Sequence, residues 1–206
     1  MLAVIDYGVG NLFSLGSSLS AIGAEYVITS SEQEIRNADR IILPGVGAFE
    51  DAIAKLKALG LDRVIREEAA AGKPIMGICL GMQLLFERSF EYGEHGGLGL
   101  LRGSVIPMKG LIPDTLKVPH IGWNTLSVKK VHPIFKYVKS GDYVYFVHSY
   151  FASECDDSLL ATTDYGVPMC AAVALDNVTG TQFHPEKSGD VGLGILKAFC
   201  EWEVEK

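Results

Sequence analysis

The chain has 206 residues, 48% hydrophobic and 21% charged, a composition that excludes disorder and suits one α/β domain over residues 1–206. Its net charge of −7, with no long run of either sign, argues against nucleic acid as a partner. No apolar stretch approaches the roughly 20 residues of a spanning helix, and the opening MLAVIDYG has no basic region or cleavage site; a soluble cytoplasmic protein without a membrane partner is expected.

In chain order, LAVIDY predicts a first strand. NLFSLGSSLSAIG follows with Leu12, Leu15, Leu19 and Ile22 at helical spacing and Gly23 as a C-terminal cap. EYVITS and DRIILPG predict the second and third strands. FEDAIAKLKALG and DRVIREEAAAG predict helices, KPIMGICL a fourth strand, and GMQLLFERS its helix. This alternation predicts a doubly wound, mostly parallel sheet with helices on both faces. After a Gly-rich turn, GEHGGLGLLRG, the pattern changes. SVIPM, TLSV, YVYFVHSY, LLATTDY, MCAAVAL and VTGTQFH are short β-type runs with turn signals between them, so antiparallel additions are expected in the C-terminal half. A last helix runs roughly from Gly192 to Val204, with Leu193, Leu196 and Phe199/Cys200 on one face. Lys129, Lys130, Arg36 and Arg40 read as solvated surface.

DYGVGNLFSLG sits between a strand and a helix, as a dinucleotide-binding turn would. Phe13 holds the position of the third glycine, and the second strand ends without an acid, so the stretch reads as a turn. Gly8 and Gly10 permit the bend and Asn11 caps the helix.

Four cysteines, none in a C-x-x-C pair, give no zinc or redox spacing, and no metal is expected. Cys170 and Cys200 read as buried small hydrophobes and Cys155 as an exposed loop thiol. Cys79 differs. It lies in Gly77-Ile78-Cys79-Leu80-Gly81, a G-x-C-x-G turn between strand and helix, the thiol form of a nucleophile elbow. The turn is too sharp for side chains two residues to either side, and a helix start favours thiolate. The backbone N–H of Leu80 is placed to meet an oxyanion. The base is expected to be His184, in GTQFHPEKS. Pro185 biases His184 to extended geometry, so Glu186 faces the same way and can orient the imidazole. His148, in VHSY, closes a strand and is a candidate for lining the site. Leu43-Pro44-Gly45-Val46-Gly47 follows the third strand, and its glycines let backbone approach a ligand or flip a peptide, which makes it the candidate second oxyanion donor.

GICLGMQ followed by HPE resembles the class I, triad-type glutamine amidotransferases. DYGVGNLFSL, PGVGAF, CLGMQLLFERS, LGLLRGSV, VPHIGWN, YFVHSY and GTQFHPEKS, in that order, narrow the resemblance to the glutaminase subunits of imidazole glycerol phosphate synthases. The resemblance implies that Cys79 is the nucleophile, His184 the acid/base and Glu186 its orienter. It implies a cofactor-free hydrolysis of L-glutamine and passage of ammonia to a (β/α)8 cyclase subunit in a heterodimer serving histidine biosynthesis. Gln83 is expected at the α-amino or carboxylate end of glutamine, with Gly47 and the backbone of His148, Ser149 and Tyr150 completing the substrate site. Val46 N–H is expected to enter the oxyanion hole by a peptide flip. Asn11, Trp123, Asn124 and Lys187 are expected at the cyclase interface. Ile121 departs from the methionine frequent in the family. Three other readings compete: a glutaminase subunit of another ammonia-using synthase, a catalytically idle scaffold, and a cysteine hydrolase that works alone.

Overall fold

A computed structural model describes residues 1–204; the last two positions of the expected 1–206 domain lie outside the described residues. The strands are β1 (Leu2–Ile5), β2 (Tyr26–Thr29), β3 (Arg40–Leu43), β4 (Ile75–Ile78), β5 (Phe86–Ser89), β6 (His95–Gly96), β7 (Leu101–Pro107), β8 (His120–Thr125), β9 (Ser127–Val128), β10 (Tyr143–His148), β11 (Tyr150–Ser153), β12 (Leu159–Asp164), β13 (Pro168–Leu175) and β14 (Val178–Thr181). The helices are α1 (Leu12–Ala21), α2 (Glu32–Asn37), α3 (Phe49–Ala58), α4 (Leu61–Ala70), α5 (Leu80–Leu84) and α6 (Gly189–Glu201).

Eight strands form the main sheet in the order β2-β1-β3-β4-β14-β13-β12-β9. Neighbours from β2 to β14 are parallel, and β13, β12 and β9 extend the sheet antiparallel. Strands β1, β3, β4 and β14 are buried on both faces, as the apolar sequences of the first three require, and β2 is the partly exposed edge. Ala3, Ile5, Ile41 and Leu43 pack into one core with α2, α3 and α4. The intervening Leu2, Val4 and Ile42 pack into a second core with α1 and α6. This two-residue alternation puts helices on both faces, as expected. A four-stranded sheet (β11-β7-β5-β6) and a two-stranded ribbon (β10-β8) supply the antiparallel additions. Among the described residues no helix is long and apolar enough to cross a membrane.

The structure corrects several local expectations. The helix predicted over GMQLLFERS stops at Leu84, and Phe86–Ser89 is a strand parallel to β7. The cause is the glycine-rich loop that follows. Leu98 N–H donates to Leu84 O, Leu100 N–H to Leu85 O and Gly99 N–H to Phe86 O, taking carbonyls that a continuing helix would need. Only Gly fits at 97, where a Cβ would lie 2.2 Å from Phe86 O. Helix α2 was not anticipated; Ser31 caps it by accepting from Glu34 N–H, while Ser31 N–H donates to Thr29 Oγ1, which donates in turn to the Glu34 carboxylate. In α6 the buried face is Ile195, Leu196 and Phe199, Leu193 is only partly buried, and the helix ends at Glu201 rather than Val204.

Cys155 is buried rather than an exposed loop thiol. Glu154 takes a left-handed φ of 56°, turning the chain, and Ser158 holds the Cys155 carbonyl through its N–H and hydroxyl at 3.1 and 3.2 Å. Cys200 is only partly buried. Lys129 and Lys130 are exposed, but Arg36 and Arg40 are not simple solvated charges. Arg36 pairs with Glu32, Glu67 and Glu68, tying α2 to α4. Arg40 donates to the carbonyls of Phe199 and Trp202 at the end of α6.

Candidate active site

Cys79 stands where β4 turns into α5, with φ 54° and ψ −109°, outside the ordinary regions for a side-chain-bearing residue. Its N–H donates to Thr181 O (2.7 Å) and its carbonyl accepts from Gln83 N–H (3.1 Å), so both ends of the strained residue are fixed. The flanking glycines are required by space. A Cβ on Gly77 would come within 2.6 Å of Gly81 O and Met82 N, and one on Gly81 would lie 1.8 Å from Leu43 O. Gly45 of the second candidate loop shares this packing: a Cβ on it would lie 2.7 Å from Gly81 N. Buried Tyr7 donates to Pro44 O (2.8 Å), anchoring the start of that loop, whereas a Cβ on Gly47 (φ 96°) would meet nothing within 4 Å. Helix α5 has only five residues, so the dipole at its start is smaller than the predicted nine-residue helix would give.

His184 follows β14, the strand beside β4. Its N–H donates to Tyr145 O (2.9 Å), and its carbonyl accepts from Ser188 Oγ (2.6 Å), which in turn accepts from Tyr145 N–H. His184 Nδ1 donates to Glu186 Oε1 at 2.8 Å, with both side chains almost wholly buried. His184 Nε2 and Glu186 Oε2 are buried without hydrogen-bond partners. Burial opposes a charged imidazole, but the Cys79 sulfur and the Glu186 carboxylate outweigh it and lift the His184 pKa to about 10. No hydrogen bond yet joins the thiol to the ring: Cys79 Sγ lies 3.9 Å from Val147 O and 3.7 Å from Gln182 Nε2.

A cavity of about 430 Å³ opens onto this group. Of the predicted residues it is lined by Cys79, His184, Leu80, Val46, Gly47, Gln83, His148, Ser149, Tyr150 and Lys187. Glu186 lies behind His184, in a narrow crevice shared with Asn11, Pro44 and Val46. Gln83 Nε2 donates to Tyr150 O (3.0 Å) and to Gln182 Oε1 (2.9 Å), which spends both of its protons. Only its Oε1 is left for a ligand, so it can receive a donor but cannot donate to a carboxylate. His148 is a buried neutral ring, its pKa pushed down to about 3 by burial; Nδ1 donates to Tyr150 O (2.9 Å), and Nε2 accepts from His120 Nδ1 (3.1 Å).

Trp123 and Asn124 do not line the cavity. Trp123 is exposed on β8 and meets the Tyr145 ring edge-on, with Lys187 Nζ 5.8 Å from that same ring. Asn124 donates to Asp164 O (2.7 Å). Asn11 accepts from Ser14 N–H as the cap of α1, and Gly8 and Gly10 have φ of 79° and 116°, as the turn reading required.

Two polar residues escaped the sequence reading, Glu91 in the cavity lining and Gln182 buried behind it. Glu91 is the cavity's one acid; Oε2 accepts from Phe49 N–H (2.6 Å), and burial raises its pKa. It lies past the unexpected strand β5, which is what returns it to the site. Gln182 stands two residues before His184, fully buried beside the thiol. Among the described residues no three His, Cys, Asp or Glu side chains are grouped to hold a metal. A buried thiol, an oriented imidazole and a carboxylate around an open cavity form the donor set of nucleophilic acyl transfer.

The family model for Glutamine amidotransferase class-I matches residues 3–201. The chain belongs to the class-I glutamine amidotransferases. Among them it is similar to the imidazole glycerol phosphate synthase subunits HisH. That of Oceanobacillus iheyensis is 50% identical, with 98% of each chain covered. That of Lactococcus lactis is 52% identical over 97% of this chain and 98% of the relative, and that of Aquifex aeolicus 51% over 95% and 94%. In fold this amidotransferase matches a GMP synthase component of Thermoplasma acidophilum (TM-score 0.72, 22% identity, covering 97% of this chain and 92% of that one). It also matches PurLQS of Thermotoga maritima (TM-score 0.72, 22% identity, 97% of both).

Proposed function

We propose that this amidotransferase is the glutaminase subunit of an imidazole glycerol phosphate synthase, a cytoplasmic enzyme whose residues 1–206 act as one domain. It hydrolyses L-glutamine and passes the ammonia to a cyclase subunit with a (β/α)8 barrel, which makes imidazole glycerol phosphate and aminoimidazole carboxamide ribonucleotide in histidine biosynthesis. The carrying observation is the elbow-held Cys79 beside the His184–Glu186 pair.

Cys79 thiolate attacks the carboxamide carbon of glutamine. The oxyanion is held by the N–H groups of Leu80 and, after a peptide flip in Gly45–Gly47, of Val46; one such donor contributes about 3 kcal/mol. His184 protonates the leaving nitrogen through Nε2, giving ammonia and a glutamyl thioester. The same nitrogen then takes a proton from water, which releases glutamate. Glu186 holds the ring and favours its charged form. No cofactor takes part. At the far end, Gln83 Oε1 and the Glu91 carboxylate receive the α-ammonium, while Gly47 and the backbone of His148–Tyr150 frame the rest of the substrate.

Exposed Phe13, Ile121 and Trp123, with Asn11, Asn124 and Lys187, are the face proposed to meet the cyclase. Asn11 borders the crevice behind His184, and Trp123 reaches Lys187 through Tyr145, so this face adjoins the cavity. The test is Cys79→Ala in the heterodimer. Glutamine-dependent synthesis should vanish while added ammonium still supports the cyclase. Glutamine turnover that survives the substitution, or cyclase that ammonium cannot restore, would refute the division of labour.

A further inference from the structure

Gln182 has no part in the scheme above, yet it is fully buried and touches two of the groups in it. Strand β14 runs beside β4 with Thr181 opposite Ile78, so the next residues, Gln182 and Cys79, leave their strands side by side. Gln182 N–H donates to Ala171 O (2.9 Å), which pins the backbone from the neighbouring strand. Its side-chain amide bridges inward: Oε1 accepts from Gln83 Nε2 at 2.9 Å, and Nε2 lies 3.7 Å from Cys79 Sγ as a donor. The orientation is internally determined. Tyr150 O can only accept, so Gln83 must turn its NH2 towards it and towards Gln182 Oε1, and Gln182 must then turn its own NH2 to the sulfur.

We propose that Gln182 is a positioning residue with two effects, one on the Cys79 thiol and one on Gln83. Its N–H favours thiolate over thiol at Cys79, since a hydrogen bond to the charged form stabilises that form. Its carbonyl holds Gln83 with Oε1 facing the cavity, so that the site presents an acceptor and selects the ammonium end of glutamine over the carboxylate. The inference rests on Cys79 being the nucleophile.

The test is the rate of Cys79 alkylation by iodoacetamide against pH on the full chain, followed at the Cys79 peptide by mass spectrometry. Two variants are compared after a circular dichroism check of folding. Gln182→Met removes both hydrogen bonds. Gln182→Glu keeps an acceptor for Gln83, but its carboxylate opposes the thiolate. The inflection should move upward by about one pH unit in Gln182→Met and further in Gln182→Glu. The glutamine concentration that half-protects Cys79 from alkylation should rise at least about fivefold in Gln182→Met and stay within about twofold in Gln182→Glu, a split that general loosening of the core would not produce. A folded variant with the wild-type inflection overturns the effect on the thiol, and wild-type protection in Gln182→Met overturns the effect on Gln83. If Gln182→Met does not fold, the inflection of Gln182→Glu decides the effect on the thiol, and a loss of glutamine protection beyond about twofold in Gln182→Glu overturns the effect on Gln83. Failure of the underlying reading shows separately, as glutamate release undiminished in Cys79→Ala.

Discussion

Gly81→Ala should cost both stability and catalysis, and the geometry sets the scale. The added methyl would lie 1.8 Å from Leu43 O, 2.8 Å from Leu43 C and 3.2 Å from Pro44 C. Ordinary contact begins near 3.4 Å, so the elbow and the end of β3 must separate by about 1.6 Å. Nothing flexible can yield, because each clashing atom is backbone. Overpacking of this kind costs about 1–3 kcal/mol, and backbone-on-backbone contact places it at the upper end. The two segments forced apart carry the Cys79 thiol and the Val46–Gly47 peptide, which line the same cavity. A displacement near 1 Å there costs about 10²-fold in rate. Urea unfolding and glutamate release would be measured against Gly96→Ala as the control, since Gly96 has no atom within 4 Å of its added carbon and should stay within about 0.5 kcal/mol of wild type. Gly81→Ala with wild-type stability and turnover would refute the steric account of the elbow.

Glu186→Gln removes the carboxylate that helps hold the His184 pKa near 10, and turnover should fall about 10²- to 10⁴-fold with the fold retained; a drop under threefold would deny Glu186 its orienting role. Val46→Pro removes the N–H proposed for the oxyanion and should lower glutamine turnover in the heterodimer by about 10²-fold or more, leaving the urea midpoint nearly unchanged; normal turnover in the heterodimer would sink the flip. Stability should peak near pH 6.5. His120, His132 and His148 have pKa values lowered by burial to about 4, 4 and 3, so their contribution is present above their ordinary 6.5 and is lost as pH falls below it. His184 is shifted the other way, so its contribution is full below 6.5 and is lost as pH rises towards 10. Urea midpoints from pH 4 to 10 read both limbs. His132→Asn, which can keep the cap on Ile134 N–H, should flatten the acid limb, and an unchanged limb would contradict the assignment.

What was legible in the sequence followed from local rules. The strand–helix alternation, the glycines beside Cys79 and the i, i+2 relation of His184 and Glu186 need only a few adjacent residues to be read. What was missed depended on long-range contacts. Leu84-Leu85-Phe86 is apolar in either period, and the capture of its carbonyls by the N–H groups of residues 98–101 decided for a strand. Glu91 reaches the cavity only because of that strand, so no local pattern marked it. Arg40 is a surface arginine until α6, some 160 residues later, sets carbonyls over it. Helix α2 is different: Ser31 and Glu34 stand at capping-box spacing, which was there to be read.

The most direct test of the central claim is rapid acid quenching of the chain, paired with its cyclase, during glutamine turnover, followed by mass spectrometry of its peptides. A glutamyl group carried on Cys79, and absent from Cys79→Ala, is the predicted result. Sustained glutamate release with no adduct on Cys79, and no loss of rate in Cys79→Ala, would contradict it.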